Sequence, residues 1–135
     1  MQERDESKNR SGFTVARKVF GYGILICLAF LIVVCLWFYF CIRLSVKEIS
    51  AQATKEYQGD RIEALITYVK SENHSLRQRN RSVWALAQIG DNRALPVLEK
   101  YYTGPPCDHN TSLCQGELQK AIKHCKSGDT VWLAY

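Results

Sequence analysis

Residues 79–98, RNRSVWALAQIGDNRALPVL, predict two helices joined by a tight break. In the first helix, the apolar residues that share one face are Val83, Leu86, Ala87 and Ile89, and Trp84 and Ala85 widen that face. Gly90 can adopt the left-handed backbone that ends a helix, and Asp91 can cap the helix that follows. Because the break is so short, the two helices must fold back on each other.

The same stretch resembles the junction between two consecutive HEAT-type repeats of the short bacterial, PBS-lyase type. The residues that carry the resemblance are Arg79, Ala85, Leu86, Ile89, Gly90, Asp91, Arg93, Ala94, Leu95, Pro96 and Leu98. It departs from the family at Ser82 and Ala87, where alanine and glycine are usual. The resemblance implies an α-solenoid of a class used mainly as protein-binding scaffolds, with a minority of bilin lyases. No catalytic residue is carried over.

The residues before this stretch repeat its pattern. Asp60 can cap a helix whose apolar positions follow the i, i+3, i+4, i+7 spacing, at Ile62, Leu65, Ile66 and Val69. The pair Ala64-Leu65 in that helix matches Ala94-Leu95, and each pair follows shortly after a capping aspartate. This internal echo predicts a repeat, with a loop at residues 71–75 between the two helices of the first hairpin.

The second hairpin is predicted to have a longer loop and a last helix capped by Asn110 or Thr111. The residues on one face of that helix are Cys114, Leu118, Ala121, Ile122 and Cys125. The predicted fold class is therefore all-α, with a single transmembrane helix followed by a short α-solenoid of about two HEAT-like helical hairpins. The repeat domain covers residues 59–128, and an apolar C-terminal tail covers residues 129–135.

A transmembrane helix is predicted at residues 19–42. The apolar run within it, residues 21–42, would be about 33 Å long as a helix, enough to cross a hydrocarbon core of about 30 Å. A cleavable signal peptide is the alternative, which the length of the run and its bulky aromatic end disfavour. Residues 1–18 are polar and are expected to be disordered, and residues 43–58 predict a helical juxtamembrane connector.

The positive residues around this helix set the predicted orientation. Those before it are Arg4, Lys8, Arg10, Arg17 and Lys18, and those after it are Arg43, Lys47, Lys55 and Arg61. The slight excess before the helix favours a cytoplasmic N-terminus, and three cysteines in the C-terminal part favour an oxidising compartment. We expect a single-pass protein of the bacterial inner membrane, with its C-terminal domain outside the cytoplasm.

Basic and aromatic residues outside the transmembrane segment suggest where a partner binds. The net charge of +5 comes from scattered Lys and Arg residues, which does not favour nucleic-acid binding. The candidate interaction residues are the basic Arg77, Arg79 and Arg81 and the aromatic Tyr101, Tyr102, Trp132 and Tyr135.

The C-terminal cysteines and histidines are the only cluster of metal-type ligands: Cys107, His109, Cys114, His124 and Cys125. Their spacing matches no standard zinc finger, and Cys114 and Cys125 on one helix would lie roughly 16 Å apart. We therefore assign no metal ligand and no cofactor. A disulfide is predicted between Cys107 and Cys114, with Cys107 and Cys125 as the second choice. Cys27, Cys35 and Cys41 fall in the transmembrane segment.

The sequence contains no nucleophile motif with an orienting group, so we predict that the protein is not an enzyme. Two helical repeats cannot cover their own apolar faces, since about three are needed for independent stability. We expect a membrane-anchored HEAT-like scaffold or adaptor that binds other protein subunits of a membrane complex and contacts the bilayer through residues 19–42. The alternative is a metal- or cofactor-handling module, built on the Cys/His cluster or similar to a bilin lyase. A third interpretation is an anchor with a degenerate solenoid and no stable partner.

Overall fold

The computed structural model describes the backbone of residues 3–108 and 111–128 and the side chains of residues 20–108 and 111–128. The α-helices are α1 (Glu3–Glu56), α2 (Arg61–Lys70), α3 (Leu76–Ile89), α4 (Leu95–Tyr101) and α5 (Gln115–Ser127), with a 3-10 helix at Asn92–Ala94. These described residues contain no strand, so the all-helical class is confirmed. The chain divides into two compact units, Met1–Cys41 and Ile42–Tyr135.

The first unit is the N-terminal part of α1. The helix from Phe20 to Glu56, which begins in this unit, is long and apolar enough to cross a membrane, judged by length and composition. Its large apolar side chains are uncovered, and Phe20 and Trp37 are 72% and 69% exposed. Since α1 begins at Glu3, residues 3–18 are helical, whereas their polar composition predicts a disordered tail. No proline interrupts this polar segment, so the helix can continue through it.

The second unit begins with the last part of α1, which is the predicted connector. Ile49 and Ala53, which lie one helical turn apart, are buried there, whereas Leu44 is 51% exposed. The helix ends at Glu56, and Gly59 with a φ of 128° turns the chain toward α2.

The start of α2, the end of α3 and the start of the segment leading into α4 lie where the sequence predicts. Asp60 Oδ1 accepts the Glu63 N–H at 2.8 Å, and Ser75 and Gln78 form a capping box at the start of α3. Gly90 ends α3 in the left-handed conformation, with a φ of 70°. Asp91 then accepts the Arg93 N–H at 2.9 Å and starts the 3-10 helix that leads into α4.

The core lies between α2, α3, α4 and α5. α3 packs against both α2 and α5, and α5 also packs against α4. Each of these four helices contributes one fully buried leucine: Leu65, Leu86, Leu98 and Leu118. α5 begins at Gln115 with Cys114 as its N-cap, so the expected cap at Asn110 or Thr111 is wrong. Cys114 therefore precedes the helix. The buried apolar face of α5, which the sequence predicts to begin at Cys114, begins at Leu118.

An ion-pair clasp joins the two capping aspartates. Arg93 Nη1 lies 2.6 Å from Asp60 Oδ2, and Arg93 Nη2 lies 2.9 Å from Asp91 Oδ2. The Glu63 N–H and the Arg93 guanidinium hold the pKa of Asp60 below its ordinary value, and the Arg93 side chain does the same for the pKa of Asp91. The starts of the two hairpins are thus tied together through one arginine.

Candidate interaction surface

The three arginines at the start of α3 do not share one surface. Arg77 and Arg81 are exposed and one helical turn apart, whereas Arg79 is only 9% exposed. Residues two positions apart on an α-helix point about 200° apart, which turns Arg79 away from the other two. The structure thus divides the predicted basic patch into an exposed pair and a buried single residue.

Arg79 stabilises the fold. Its Nε donates to the Val69 carbonyl at 2.8 Å, one of the carbonyls at the end of α2 that have no partner within the helix. Its guanidinium also lies 5.4 Å from the centroid of the Tyr101 ring, which places a cation over an aromatic face. Arg79 therefore links α2, α3 and α4 from inside the second unit.

Arg77 and Arg81 line an open cleft of about 570 Å³. The cleft lies within the second unit, between the last part of α1 and the starts of α3 and α5. Its lining residues are Ser45, Ile49, Arg77, Asn80, Arg81, Trp84 and Glu117. We call it the arginine cleft.

Hydrogen-bond donors dominate the polar wall of the arginine cleft. Asn80 Oδ1 accepts the Cys114 N–H at 2.9 Å, which orients its amide group and leaves the NH₂ as the unused end. Glu117 is the one carboxylate in the lining, and Lys120 Nζ lies 3.0 Å from its Oε1. Hydrogen bonding to Glu117 raises the pKa of Lys120, so this acidic charge is already compensated.

The predicted aromatic residues fall into two groups. Tyr101 is half-buried beneath Arg79, and its carbonyl accepts the Gln115 amide at 3.3 Å, so it serves internal contacts. Tyr102 is the C-cap residue of α4 and is half-buried against the core, and its side chain forms no hydrogen bond or ring contact with the other described residues. Trp132 and Tyr135 lie outside the described residues.

The predicted Cys107–Cys114 disulfide is not supported, because no two cysteines in residues 20–108 and 111–128 lie at bonding distance. Cys107 Sγ instead accepts the Gly116 N–H at 3.2 Å. The second choice is not supported either, since Cys107 is exposed while Cys125 is 2% exposed in the core. Burial raises the pKa of the Cys125 thiol to about 11, which keeps it protonated and unreactive.

Side-chain amides hold the long loop in place of a disulfide. Gln115 is buried, and its Oε1 accepts the Thr103 N–H at 2.8 Å. Its Nε2 donates to the Leu113 and Tyr101 carbonyls at 3.0 and 3.3 Å. Together with the bond from Cys114 to Asn80, these contacts fix both ends of the loop between α4 and α5.

A second polar cluster joins the end of α1 to the loop before α3. His74 Nε2 lies 3.1 Å from Glu56 Oε1 and 3.2 Å from the Tyr57 hydroxyl, and its ring stacks on Tyr68 at 3.8 Å. Burial raises the pKa of Tyr68, whose hydroxyl accepts the Gln52 amide at 3.3 Å. These contacts attach the connector to the first hairpin and leave little space for a ligand.

No metal site is formed by the described side chains. Across residues 20–108 and 111–128, no three His, Cys, Asp or Glu side chains converge in an arrangement that could hold an ion. His109, one member of the predicted cluster, lies outside these residues.

Sequence reasoning selected Arg77 and Arg81 as interaction candidates but not the other residues of the arginine cleft. Arg77, Asn80, Arg81 and Trp84 follow the i, i+3, i+4, i+7 spacing of one helical face, a signal that could have separated them from Arg79. Ser45 and Glu117 come from distant parts of the chain, and no local pattern connects them to this face.

No protein-family model, curated protein or solved structure compared with the chain matches it.

Proposed function

We propose that this protein is a membrane-anchored helical adaptor that holds a partner protein at the membrane, as an accessory subunit of a larger membrane complex. α1 serves as the anchor, and the second unit serves as the docking module. The proposal concerns protein–protein interaction and assigns no catalysis to any residue.

One observation carries the proposal: an uncovered apolar helix leads by an unbroken backbone into a small helical unit. Most large apolar side chains of α1 from Phe20 to Phe40 are exposed, and α1 continues to Glu56 in the second unit. Burying so much apolar surface in lipid would be strongly favourable, at roughly 25 cal/mol per Å². Because the second unit is attached to this helix, the partner that it binds is located at the membrane surface.

The resemblance to HEAT repeats supports a docking role for the second unit. The capping residues Asp60 and Asp91, which the sequence pattern makes equivalent, are bridged by Arg93. A stack of only two hairpins has two open ends, because each repeat covers only its neighbours. We propose that a partner protein covers one of these ends, with Tyr102 in the contact.

We further propose that the N-terminus is cytoplasmic and that the second unit lies outside the cytoplasm, in the bacterial inner membrane. The exposed Cys107 tests this orientation in a variant whose other cysteines are replaced by alanine or serine. A maleimide that cannot cross membranes should label Cys107 in spheroplasts without lysis. Labelling that requires lysis would reverse the proposed orientation.

Site-specific photo-crosslinking in the native host tests the adaptor role. A photoreactive amino acid at Tyr102 should give a discrete crosslinked product in membranes, and the same amino acid at the exposed Lys123 on α5 serves as the matched control. The proposal predicts a product at Tyr102 that is absent or much weaker at Lys123. A chain that stays monomeric at both positions, and in mild detergent, would contradict it.

A further inference from the structure

We propose that the arginine cleft binds the phosphate of an anionic phospholipid headgroup from the membrane that holds α1. The inference rests on the proposed membrane anchor and adds a specific ligand to the surface of the second unit. Phosphatidylglycerol is the probe that represents this lipid class.

The chemistry of the cleft wall fits a phosphate. Arg77 and Arg81 supply guanidinium groups, which bind phosphate oxygens through paired N–H donors. Asn80 adds the NH₂ end of an amide whose oxygen is already engaged, and Ser45 adds a hydroxyl. A wall with these donors suits a ligand that accepts hydrogen bonds, and a phosphodiester is such a ligand.

The charge of the two arginines is uncompensated within the described residues. Arg77 and Arg81 lie at i and i+4, a spacing at which like charges repel. Neither forms an ion pair there, whereas Arg93, Lys120 and Lys126 all do. Glu117, the one carboxylate in the lining, is paired with Lys120 and forms no ion pair with either arginine. A bound anion would remove the repulsion.

The chain connectivity keeps the cleft close to the bilayer. Ser45 in the cleft wall follows Ile42, the last residue of the apolar run, by only three residues. Even fully extended, three residues span at most about 10 Å, so the cleft wall begins within that distance of the end of the apolar segment. One headgroup layer is about 5–8 Å thick, so the cleft wall begins within this layer or just beyond it.

The apolar part of the lining suits the rest of a lipid. Ile49 and Trp84 lie beside the donors, and tryptophan is enriched where protein meets the headgroup region. An acidic peptide would satisfy the arginines equally well, but the proposed anchor itself keeps phospholipid headgroups beside the cleft. Proximity to the bilayer and a mixed polar and apolar lining therefore favour a phospholipid.

Fluorescence of the full-length protein in lipid nanodiscs tests the proposal. In a Trp37→Phe/Trp132→Phe background, Trp84 is the only tryptophan and reports directly on the cleft. Adding phosphatidylglycerol to phosphatidylcholine discs should produce a saturable change in Trp84 emission. In the Arg77→Gln/Arg81→Gln variant, the phosphatidylglycerol fraction for half-saturation should rise by about tenfold or more, because two charge-assisted contacts are lost.

Two controls distinguish specific binding in the arginine cleft from nonspecific attraction between the positive protein surface and an anionic membrane. The Arg61→Gln/Lys123→Gln variant removes the same net charge elsewhere on the second unit and should respond like the parent. An equal loss of response in both double variants would overturn the proposal in favour of simple surface attraction. If the cleft variant unfolds, Ser45→Leu, which fills the cleft without changing its charge, should abolish the response, and a response that persists would overturn the proposal.

Other ligands and the anchor itself are tested in the same preparation. Inorganic phosphate or a glutamate-rich peptide that alters Trp84 emission in pure phosphatidylcholine discs as strongly as phosphatidylglycerol does would overturn the assignment to a lipid. A chain that fails to insert into the discs refutes the proposed membrane anchor. A chain that inserts and crosslinks through Tyr102 but ignores phosphatidylglycerol refutes the headgroup site alone.

Discussion

Arginine side chains are paired with carboxylates in the clasp at Arg93 but not in the arginine cleft. Arg93 is held by two carboxylates, Asp60 and Asp91, and joins the starts of two hairpins. Arg77 and Arg81 stand side by side without an ion pair among the described residues. Arginines that have internal partners stabilise the fold, and those without partners remain available for a ligand. Variants of each kind should therefore separate stability from binding.

Arg79, the internally bonded arginine of α3, gives the largest expected effect. Arg79→Ala removes the donor from the buried Val69 carbonyl and the cation from the Tyr101 ring. We expect the free energy of unfolding to fall by about 2–3 kcal/mol. Thermal and denaturant unfolding in detergent measure it, and Arg77→Ala on the same helix is the matched control. Equal losses for both variants would show that burial does not distinguish these arginines.

Ser50 extends the comparison of paired and unpaired polar groups to a buried hydroxyl. Its hydroxyl is the only buried side-chain oxygen or nitrogen without a hydrogen bond in residues 20–108 and 111–128, and Ser50 is 3% exposed. Ser50→Ala removes this uncompensated group and introduces a better helix former, so stability should rise by about 1 kcal/mol. Ser45→Ala, half-exposed on α1, isolates the helix-propensity part. A loss of stability in Ser50→Ala would mean that the hydroxyl has a partner.

Much of this architecture follows from local sequence signals. Gly90 and the aspartates 60 and 91 mark helix ends because a cap depends on atoms within a few residues, and all three act as predicted. The burial of Leu65 and Leu86 follows in the same way from the spacing of apolar residues along each helix.

The arginine cleft and the fate of the cysteines depend on contacts between distant segments. Glu117 reaches the cleft only because α5 packs on α3, and the sequence contains no signal for that crossing. Spacing along the chain predicts a disulfide between Cys107 and Cys114, whereas in the structure the Cys107 sulfur accepts a hydrogen bond from the Gly116 N–H. The start of α5 was predicted too early because Asn110 and Thr111 resemble caps, whereas the helix begins only at Gln115.

The clasp at Arg93 predicts a modest change in acid stability. The pKa values of Asp60 and Asp91 are lowered in the folded state, so the unfolded state binds more protons as the pH falls. Their contribution to stability is complete above the unfolded pKa, about 3.9, and is lost as the pH falls through the folded pKa values. Arg93→Gln should therefore flatten the pH dependence of the melting temperature below about pH 4 and lower stability slightly at pH 7.

The matched comparison for this acid titration is Lys126→Gln, which breaks the ion pair with Glu99 but leaves both capping aspartates in place. Its pH dependence should follow the parent near the titration of Asp60 and Asp91. An Arg93→Gln variant with an unchanged acid slope would mean that the backbone N–H donors alone lower the two aspartate pKa values.

The smallest expected effect on stability belongs to the arginine cleft. Arg77→Gln/Arg81→Gln should change the free energy of unfolding by no more than about 0.5 kcal/mol, and in the direction of gain, because it removes repulsion at i, i+4 and breaks no ion pair. Denaturant unfolding in a neutral detergent measures this value. A clear loss would place these arginines with Arg79 and Arg93 as parts of the fold. A neutral or stabilising result combined with lost phosphatidylglycerol binding would show that the pair is kept for its ligand.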